Sequence, residues 1–341
     1  MRGGPPSRIC VSSPARDIEG QPARPIVYII PMRVAVMGAG GTGGFFGGLL
    51  ARAGEDVTFI ARGPHLDAIR ARGLRVKSRL AGDFTVTARA TDDPRTLGPV
   101  DLILFCVKSY STAEAVEQIR SLVGPQTVIL SVQNGIDNED RIAEVVGPKP
   151  VLGGVAHVSS VIESPGVIAQ VAGPGRIIFG ELAGGVSARA ERLLETFQRA
   201  GIASEVHPNV RVALWEKFIF ICGVSGMTAL TRLPIGPILA TAETCDMLLG
   251  TMTEVQAVAR AEGVGVGPGA AGQALAFARG FEPSARGSLY YDLAAGRRLE
   301  LETLNGTVVR LGRNRAVATP MNRAIYAALK PYVDGAPPTA A

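Results

Sequence analysis

Val34-Ala35-Val36-Met37-Gly38-Ala39-Gly40-Gly41-Thr42-Gly43 is the stretch on which the fold turns. Its first four residues read as an apolar strand. G-x-G-x-x-G then opens a helix that runs to about Ala53 and stops at Gly54. In a chain with 42 glycines the six-residue pattern alone says little. Its position between a strand and a helix is the context the chemistry needs. Gly38 permits a tight turn, Gly40 lets the backbone approach a pyrophosphate, and Gly43 lets helix and strand pack closely. The pyrophosphate then rests on the helix N-terminus. Ala39, Gly41 and Thr42 complete this cradle. The alternative is a glycine-rich turn that holds no ligand. The second strand, 57–60, runs into Ala61-Arg62-Gly63. A site for NAD usually has an acid there for the ribose 2′-hydroxyl. Arg62 instead offers a guanidinium suited to the 2′-phosphate of NADP, unless it is an ordinary loop cation.

Outward from this loop, strands and helices alternate. A hairpin is expected over 74–77 and 84–87, a buried strand at 102–106, a helix at 112–122, a strand at 127–132 and a helix at 137–145. Apolar strands without polar alternation imply a parallel sheet covered on both faces. Short β segments follow at 151–162, 167–171 and 176–180, then a helix at 187–200. Past Pro208 every segment reads as helix: 209–222, 239–262, 269–279, 287–295, 303–318 and 321–332. The fold class is thus an α/β Rossmann-type domain over 32–208 and an all-α domain over 209–333, with a fraying tail at 334–341. A length of 341 residues fits two domains of about 150 residues each. Residues 1–31 hold six Pro, three Gly and four Arg, and read as a disordered arm or an over-extended start. The apolar patch 26–30 is too short for a signal-peptide core, and a targeting presequence is the lesser alternative.

Composition removes whole classes of function. Hydrophobic residues at 47% and charged residues at 19% exclude bulk disorder. No apolar run nears the roughly 18 residues of a membrane span, so no membrane is expected. Four scattered cysteines exclude a disulfide scaffold or a zinc site and suit a reducing, cytoplasmic compartment. Three histidines lack metal-ligand spacing, so no metal is expected. The net charge of +5 comes from 30 Arg and 5 Lys without a basic block, and aromatics are only 5%. That pattern argues against nucleic acid and for small anionic ligands. Four Arg against Asp17 and Glu19 in 1–31 leave the folded part nearer +5 − 2 = +3.

Three further groups carry polar chemistry. Lys108 lies just past the 102–106 strand, and Gln133-Asn134-Gly135 ends the next one, both on the sheet edge where ligands bind in open α/β folds. Each could equally be a turn residue. Lys217 lies within Leu214-Trp215-Glu216-Lys217-Phe218-Ile219, where apolar surroundings disfavour an ammonium and suit a lysine to general-acid work. The alternative is a snorkelling surface lysine. Ser288-Leu289-Tyr290-Tyr291-Asp292 and Arg298-Leu299-Glu300-Leu301-Glu302-Thr303-Leu304-Asn305-Gly306, read unaided, look like helix capping.

In this order the glycine loop, Ile60-Ala61-Arg62-Gly63, Val107-Lys108, Gln133-Asn134-Gly135, Trp215-Glu216-Lys217, Ser288 to Asp292 and Leu299-Glu300 before Asn305-Gly306 resemble the ketopantoate reductase (2-dehydropantoate 2-reductase) family, from Met32 to about Lys330. The resemblance implies a cleft between the two domains and NADPH as hydride donor to a 2-keto acid, with ketopantoate reduction in pantothenate and coenzyme A biosynthesis as the default. It makes Lys217 the general acid, Glu300 an acid near both cofactor and Lys217, Lys108 and Asn134 cofactor-facing, and Ser288 a substrate contact. One departure stands out. Where the family has two Asn, four and eight residues beyond the catalytic Lys, this chain has Ile221 and Ser225. Either the substrate is a less polar keto acid, or ketopantoate is held by other residues such as Ser225. A related dehydrogenase of 3-hydroxyacid or opine type and a non-catalytic NADPH-binding sensor are the alternatives. The sequence leaves the oligomeric state open, a homodimer included.

Overall fold

The structure of the protein, a computed structural model, describes residues 9–11 and 27–336. It begins with a short antiparallel pair, β1 (Ile9–Val11) and β2 (Val27–Ile29). The arm expected to be disordered is therefore ribbon over these six residues; the rest of 1–26 and the end of the tail, 337–341, lie outside the described residues.

The first half then runs β3 (Arg33–Met37), α1 (Gly41–Arg52), β4 (Asp56–Ile60), α2 (Gly63–Arg72), β5 (Leu74–Lys77), β6 (Phe84–Val86), β7 (Arg89–Thr91), β8 (Leu102–Phe105), α3 (Thr112–Ile119), β9 (Val128–Ser131), α4 (Asn138–Val146), β10 (Val151–Ser164), β11 (Val167–Glu181), α5 (Ala188–Arg199) and β12 (Ala203–Val206). Successive side chains of a strand point to opposite faces. Val34 and Val36 accordingly meet Phe45 and Phe46 of α1 and Phe197 of α5. Ala35 and Met37 meet Val116 of α3 and Ile142 of α4 on the other face. The strand order is β6-β5-β11-β10-β9-β8-β3-β4-β7, with β12 beside β11. Within the run β10-β9-β8-β3-β4-β7 every pairing is parallel, as expected. The whole sheet is mixed, however, because β10 and β11 form a long antiparallel hairpin and β5 and β6 a short one. The segments expected separately at 167–171 and 176–180 are one strand. Its ladder with β10 shifts register between His157 and Ser159 and again between Ser159 and Ser160.

The second half is helical: α6 (Val210–Thr231), α7 (Ile235–Ala240), α8 (Ala242–Ala261), α9 (Ala270–Arg279), α10 (Ser288–Ala294), a π-helical turn Glu302–Gly306, α11 (Thr307–Asn314) and α12 (Pro320–Leu329). Helix α6 is its core and is packed by α8, α9, α10 and α12. It outruns the predicted end at 222, because its glycines serve helix contact rather than termination. A Cβ on Gly223 would lie 2.8 Å from Met252 Cγ, and one on Gly226 3.1 Å from Ile325 Cγ2. At 22 residues and a mean hydropathy of 1.3, α6 is long and apolar enough to cross a membrane, contrary to the reading of its apolar runs; it is mostly buried inside the protein.

Candidate active site

The glycine loop has the geometry its spacing requires. Gly38 adopts φ +96°, open to glycine and strained for other residues. A Cβ on Gly43 would stand 2.2 Å from Gly38 O and 3.0 Å from Val36 Cγ1, so helix and strand touch there. A Cβ on Gly40 would meet nothing within 4 Å, which leaves a cradle open in front of α1. No side chain caps α1, and no acid lies in its first turn, so its leading N–H groups remain available to an anion. Gly41 has a different constraint: its Cβ would fall 1.9 Å from Ser160 O of β10. Thr42 lies in the same first turn. Arg62 is the N-cap of α2, exposed, and paired at 2.5 Å with Glu114. Surface pairs of this kind contribute about 0–1 kcal/mol, so Glu114 releases Arg62 readily to a stronger anion. These residues fit a phosphorylated dinucleotide.

At the neighbouring strand ends, polar groups knit the two halves together. Lys108 Nζ donates to Asp292 Oδ2 at 2.9 Å and to Glu300 Oε2 at 3.0 Å, and Glu300 Oε1 accepts from Ser109 N at 2.9 Å. Burial alone would lower the Lys108 pKa, but Glu300 and Asp292 outweigh it and hold the lysine above its ordinary value. Asp292 also accepts from Arg297 Nε at 2.9 Å. Behind Asn134, Gln133 Nε2 donates to Val107 O at 2.9 Å and to Thr112 Oγ1 at 2.8 Å, while Asn138 Nδ2 donates to Asn134 O at 2.9 Å. This buried network fixes the loop that carries Asn134.

A cavity of about 190 Å³ opens between the halves, lined by Asn134, Lys217, Ile221, Ser225 and Ser288 among others. Lys217 enters it from α6 and makes no hydrogen bond or ion pair among the described residues. Burial lowers its pKa to about 8, a fall that the charges of Glu300 and Glu139 moderate. Glu139, in the first turn of α4, is buried, and neither of its oxygens has a hydrogen-bond partner. Burial pushes its carboxyl up to about 7; Ser131 eases the charge without meeting hydrogen-bond geometry. His157, on β10, is held down to about 4 by burial, then by the charges of Lys217 and Arg176, so it is neutral at pH 7. The register shift beside His157 turns Ser159 and the facing Ala172–Pro174 segment toward the same cavity.

The structure thus brings Lys217, Asn134, Ser225 and Ser288 together, places Lys108 and Glu300 beside them as a pair, and leaves Arg62 at the outer end of the glycine loop. Glu300 bonds Lys108 and Ser109 rather than Lys217, on which it acts only through its charge. The capping reading holds only for Glu302, in the first turn of the π-helical segment. Gly287 is the N-cap of α10, Asp292 is a buried ion-pair acceptor, and Asn305 is buried, donating to Cys222 O of α6 at 3.2 Å. Sequence reasoning missed Asp292, Glu139, His157 and Arg286. Asp292 lay inside a recognised motif; nothing local marked His157 and Arg286 as lining one cavity, or Glu139 as a buried charge acting on Lys217.

Comparison with known proteins agrees with this geometry. The family described as Ketopantoate reductase PanE/ApbA matches residues 34–184, and Ketopantoate reductase PanE/ApbA C terminal matches 209–333. The 2-dehydropantoate 2-reductase of Pyrococcus horikoshii is 32% identical over 305 residues, covering 88% of this chain and 97% of that protein. The crystal structure of a PanE/ApbA family ketopantoate reductase from Ralstonia eutropha JMP134 is 34% identical, with a TM-score of 0.82, covering 88% of this chain and 98% of that one. The ternary structure of D-mandelate dehydrogenase with NADH and anilino(oxo)acetate shares the fold, with a TM-score of 0.81 at 23% identity, covering 88% of this chain and 98% of its own. With both halves matched and the cleft residues in place, the chain belongs to the ketopantoate reductase family of oxidoreductases.

Proposed function

We propose that the protein reduces a 2-keto acid to the 2-hydroxy acid with NADPH. The default substrate is 2-dehydropantoate, the compound in the names of its 2-dehydropantoate 2-reductase relatives, and its reduction to pantoate for pantothenate and coenzyme A biosynthesis is the reaction the sequence resemblance implies. One observation carries this reading: an unpaired, half-buried lysine on an apolar helix lines the cavity together with Asn134. When bound, the nicotinamide supplies a hydride to the carbonyl carbon. Lys217 holds a proton on Nζ at neutral pH and donates it to the carbonyl oxygen as negative charge develops there. Asn134, fixed from behind by Asn138, is placed to orient the reacting groups. Ser225 and Ser288 line the substrate end. Glu300 holds Lys108 in place and adds negative charge that keeps Lys217 protonated. The described cysteines are free, which fits the reducing cytoplasm.

The test is NADPH oxidation, followed by absorbance, with a panel of 2-keto acids that includes ketopantoate. Turnover is expected, with loss in Lys217→Ala. Arg62→Ala is expected to raise the KM for NADPH about 10- to 100-fold while leaving NADH nearly unaffected. Absence of turnover with every acid, or an undiminished rate in Lys217→Ala, would overturn the assignment.

A further inference from the structure

The cavity beside Lys217 is divided by chemistry. Towards α9 its wall is a cluster of three rings. Phe220 stacks on Phe281 with centroids 5.5 Å apart, and Phe277 meets each of them edge-on at 5.1 Å. Phe277 is 50% exposed and lines the cavity, so its ring is open to contact with an apolar group there. Ile221 and Val224 continue this wall along α6. Ile221 sits one helical turn from Lys217 on the same face, next to where the carbonyl must lie. A hydroxyl on the substrate would be buried there against groups that cannot accept or donate.

The cavity's polar end, around Arg286, is short of a partner. Arg286 lines the cavity, and its guanidinium lies over the Tyr290 ring at 4.7 Å. Its sole hydrogen bond among the described residues runs from Nη1 to Ser284 O at 3.2 Å, and no carboxylate pairs with it. Its Nε is buried without any partner. A guanidinium nitrogen hidden from water without a partner is costly, and a stacked guanidinium presents its edge to a planar anion. Ser225 and Ser288 flank this same end: Gly287 packs so closely on Ser225 that a Cβ there would meet Ser225 Oγ at 2.4 Å.

Resting on the reductase reading above, we propose that the substrate is a 2-keto acid with a bulky apolar side chain, branched or aromatic and without a hydroxyl. Arg286 binds its carboxylate, and Ile221 with the Phe220–Phe277–Phe281 cluster receives its side chain. The ketone carbon then faces Lys217. Ile221 and Phe277 set specificity; Arg286 sets affinity for the acid itself.

The experiment is steady-state kinetics with NADPH on ketopantoate, pyruvate, 4-methyl-2-oxopentanoate and phenylpyruvate, in wild type, Ile221→Asn, Ile221→Val, Phe277→Ala, Arg286→Lys and Arg286→Leu. Melting temperature and NADPH binding are measured for each variant. In wild type the apolar acids should exceed ketopantoate in kcat/KM by about 10- to 100-fold, the range that one misplaced polar or apolar group commands in a pocket. Ile221→Asn should narrow or invert that ratio, and Ile221→Val should keep it. Phe277→Ala, at a half-exposed position that tolerates truncation, should cost phenylpyruvate more than pyruvate. Arg286→Leu should raise the KM of every acid about 10- to 100-fold with NADPH binding unchanged, and Arg286→Lys should recover part of that loss. Wild type preferring ketopantoate, or a ratio unmoved by Ile221→Asn, overturns the substrate class while the reductase reading stands. An unchanged KM in Arg286→Leu removes the carboxylate anchor. Turnover of no acid at all brings down the reductase reading and the substrate class with it.

Discussion

Lys217 and Glu139 are drawn towards neutrality from opposite sides by the same cause. Burial brings the lysine down to about 8 and the glutamate up to about 7, and the charge of Glu139, with that of Glu300, moderates the fall of the lysine. A general acid must be protonated to act. Activity is therefore expected to be level below pH 8 and to fall about tenfold per unit as pH rises beyond it. Lys217→Ala should lose about 10²- to 10⁴-fold, the usual contribution of a positioned proton donor. Glu139→Gln removes a negative charge that favours the ammonium, so the alkaline limb should move to lower pH, by less than about one unit. A pH–rate profile of Glu139→Gln that superimposes on wild type would remove Glu139 from the environment of Lys217. His157, Arg176 and Glu300 are the other charged or titratable groups acting here; His157 is neutral throughout this range, so the limb belongs to the lysine.

The first βα unit makes its own predictions. Gly40 and Gly43 share a motif but not a reason for being glycine. Gly40→Ala places its Cβ in open space, so the protein should keep its melting temperature while its KM for NADPH rises at least about tenfold. Gly43→Ala drives a methyl to 2.2 Å from Gly38 O, so thermal unfolding should show a loss of about 1–3 kcal/mol from overpacking. Equal melting temperatures in the two variants would refute this division. His65 clamps the same loop. Its Nε2 must donate to Ala39 O at 2.8 Å, and its Nδ1 must accept from Gly166 N at 3.0 Å, which fixes the neutral tautomer. Burial lowers its pKa below 6.5, the Ala39 bond offsetting only part of the shift. A depressed pKa in the folded state means the clamp stabilises fully above about pH 6.5 and fades as pH falls through the folded value. His65→Ala should flatten the acid side of the melting-temperature profile. Gly38, Gly40 and Gly43 were legible because their demands lie within one loop and the helix it opens. His65 was not, because its partners are 26 and 101 residues away. The same distinction explains α6: the helix expected to end at 222 runs on to 231, and only Met252 and Ile325, brought in by packing, show Gly223 and Gly226 to be contact points.

At the scale of the whole molecule, the two halves were legible from a change of period near Pro208, and the place of Lys217 on an apolar helix from its neighbours in sequence. What joins the halves was not, since ion pairs over long separations leave no local pattern. Lys108 meets Asp292 and Glu300 across 184 and 192 residues. Both acids are nearly buried, at 10% and 4% side-chain exposure, whereas Lys108 keeps 42% of its side chain exposed. Deleting the lysine strands two carboxylates that Ser109 N and Arg297 satisfy only in part. Loss of a fully buried partner typically costs about 3–5 kcal/mol; solvent at Lys108 reduces that to about 1–3 kcal/mol here. Lys108→Met should therefore lower the melting temperature, and calorimetry should show the halves unfolding less cooperatively, with a calorimetric enthalpy above the van't Hoff value. Lys108→Arg, which keeps the charge, should recover most of the stability. The same bond holds the Lys108 side of the cleft against the helix carrying Ser288, so Lys108→Met should also raise the KM for the keto acid. A Lys108→Met protein that melts as one unit at the wild-type temperature would show that α6 packing alone, and not this ion pair, keeps the cleft closed.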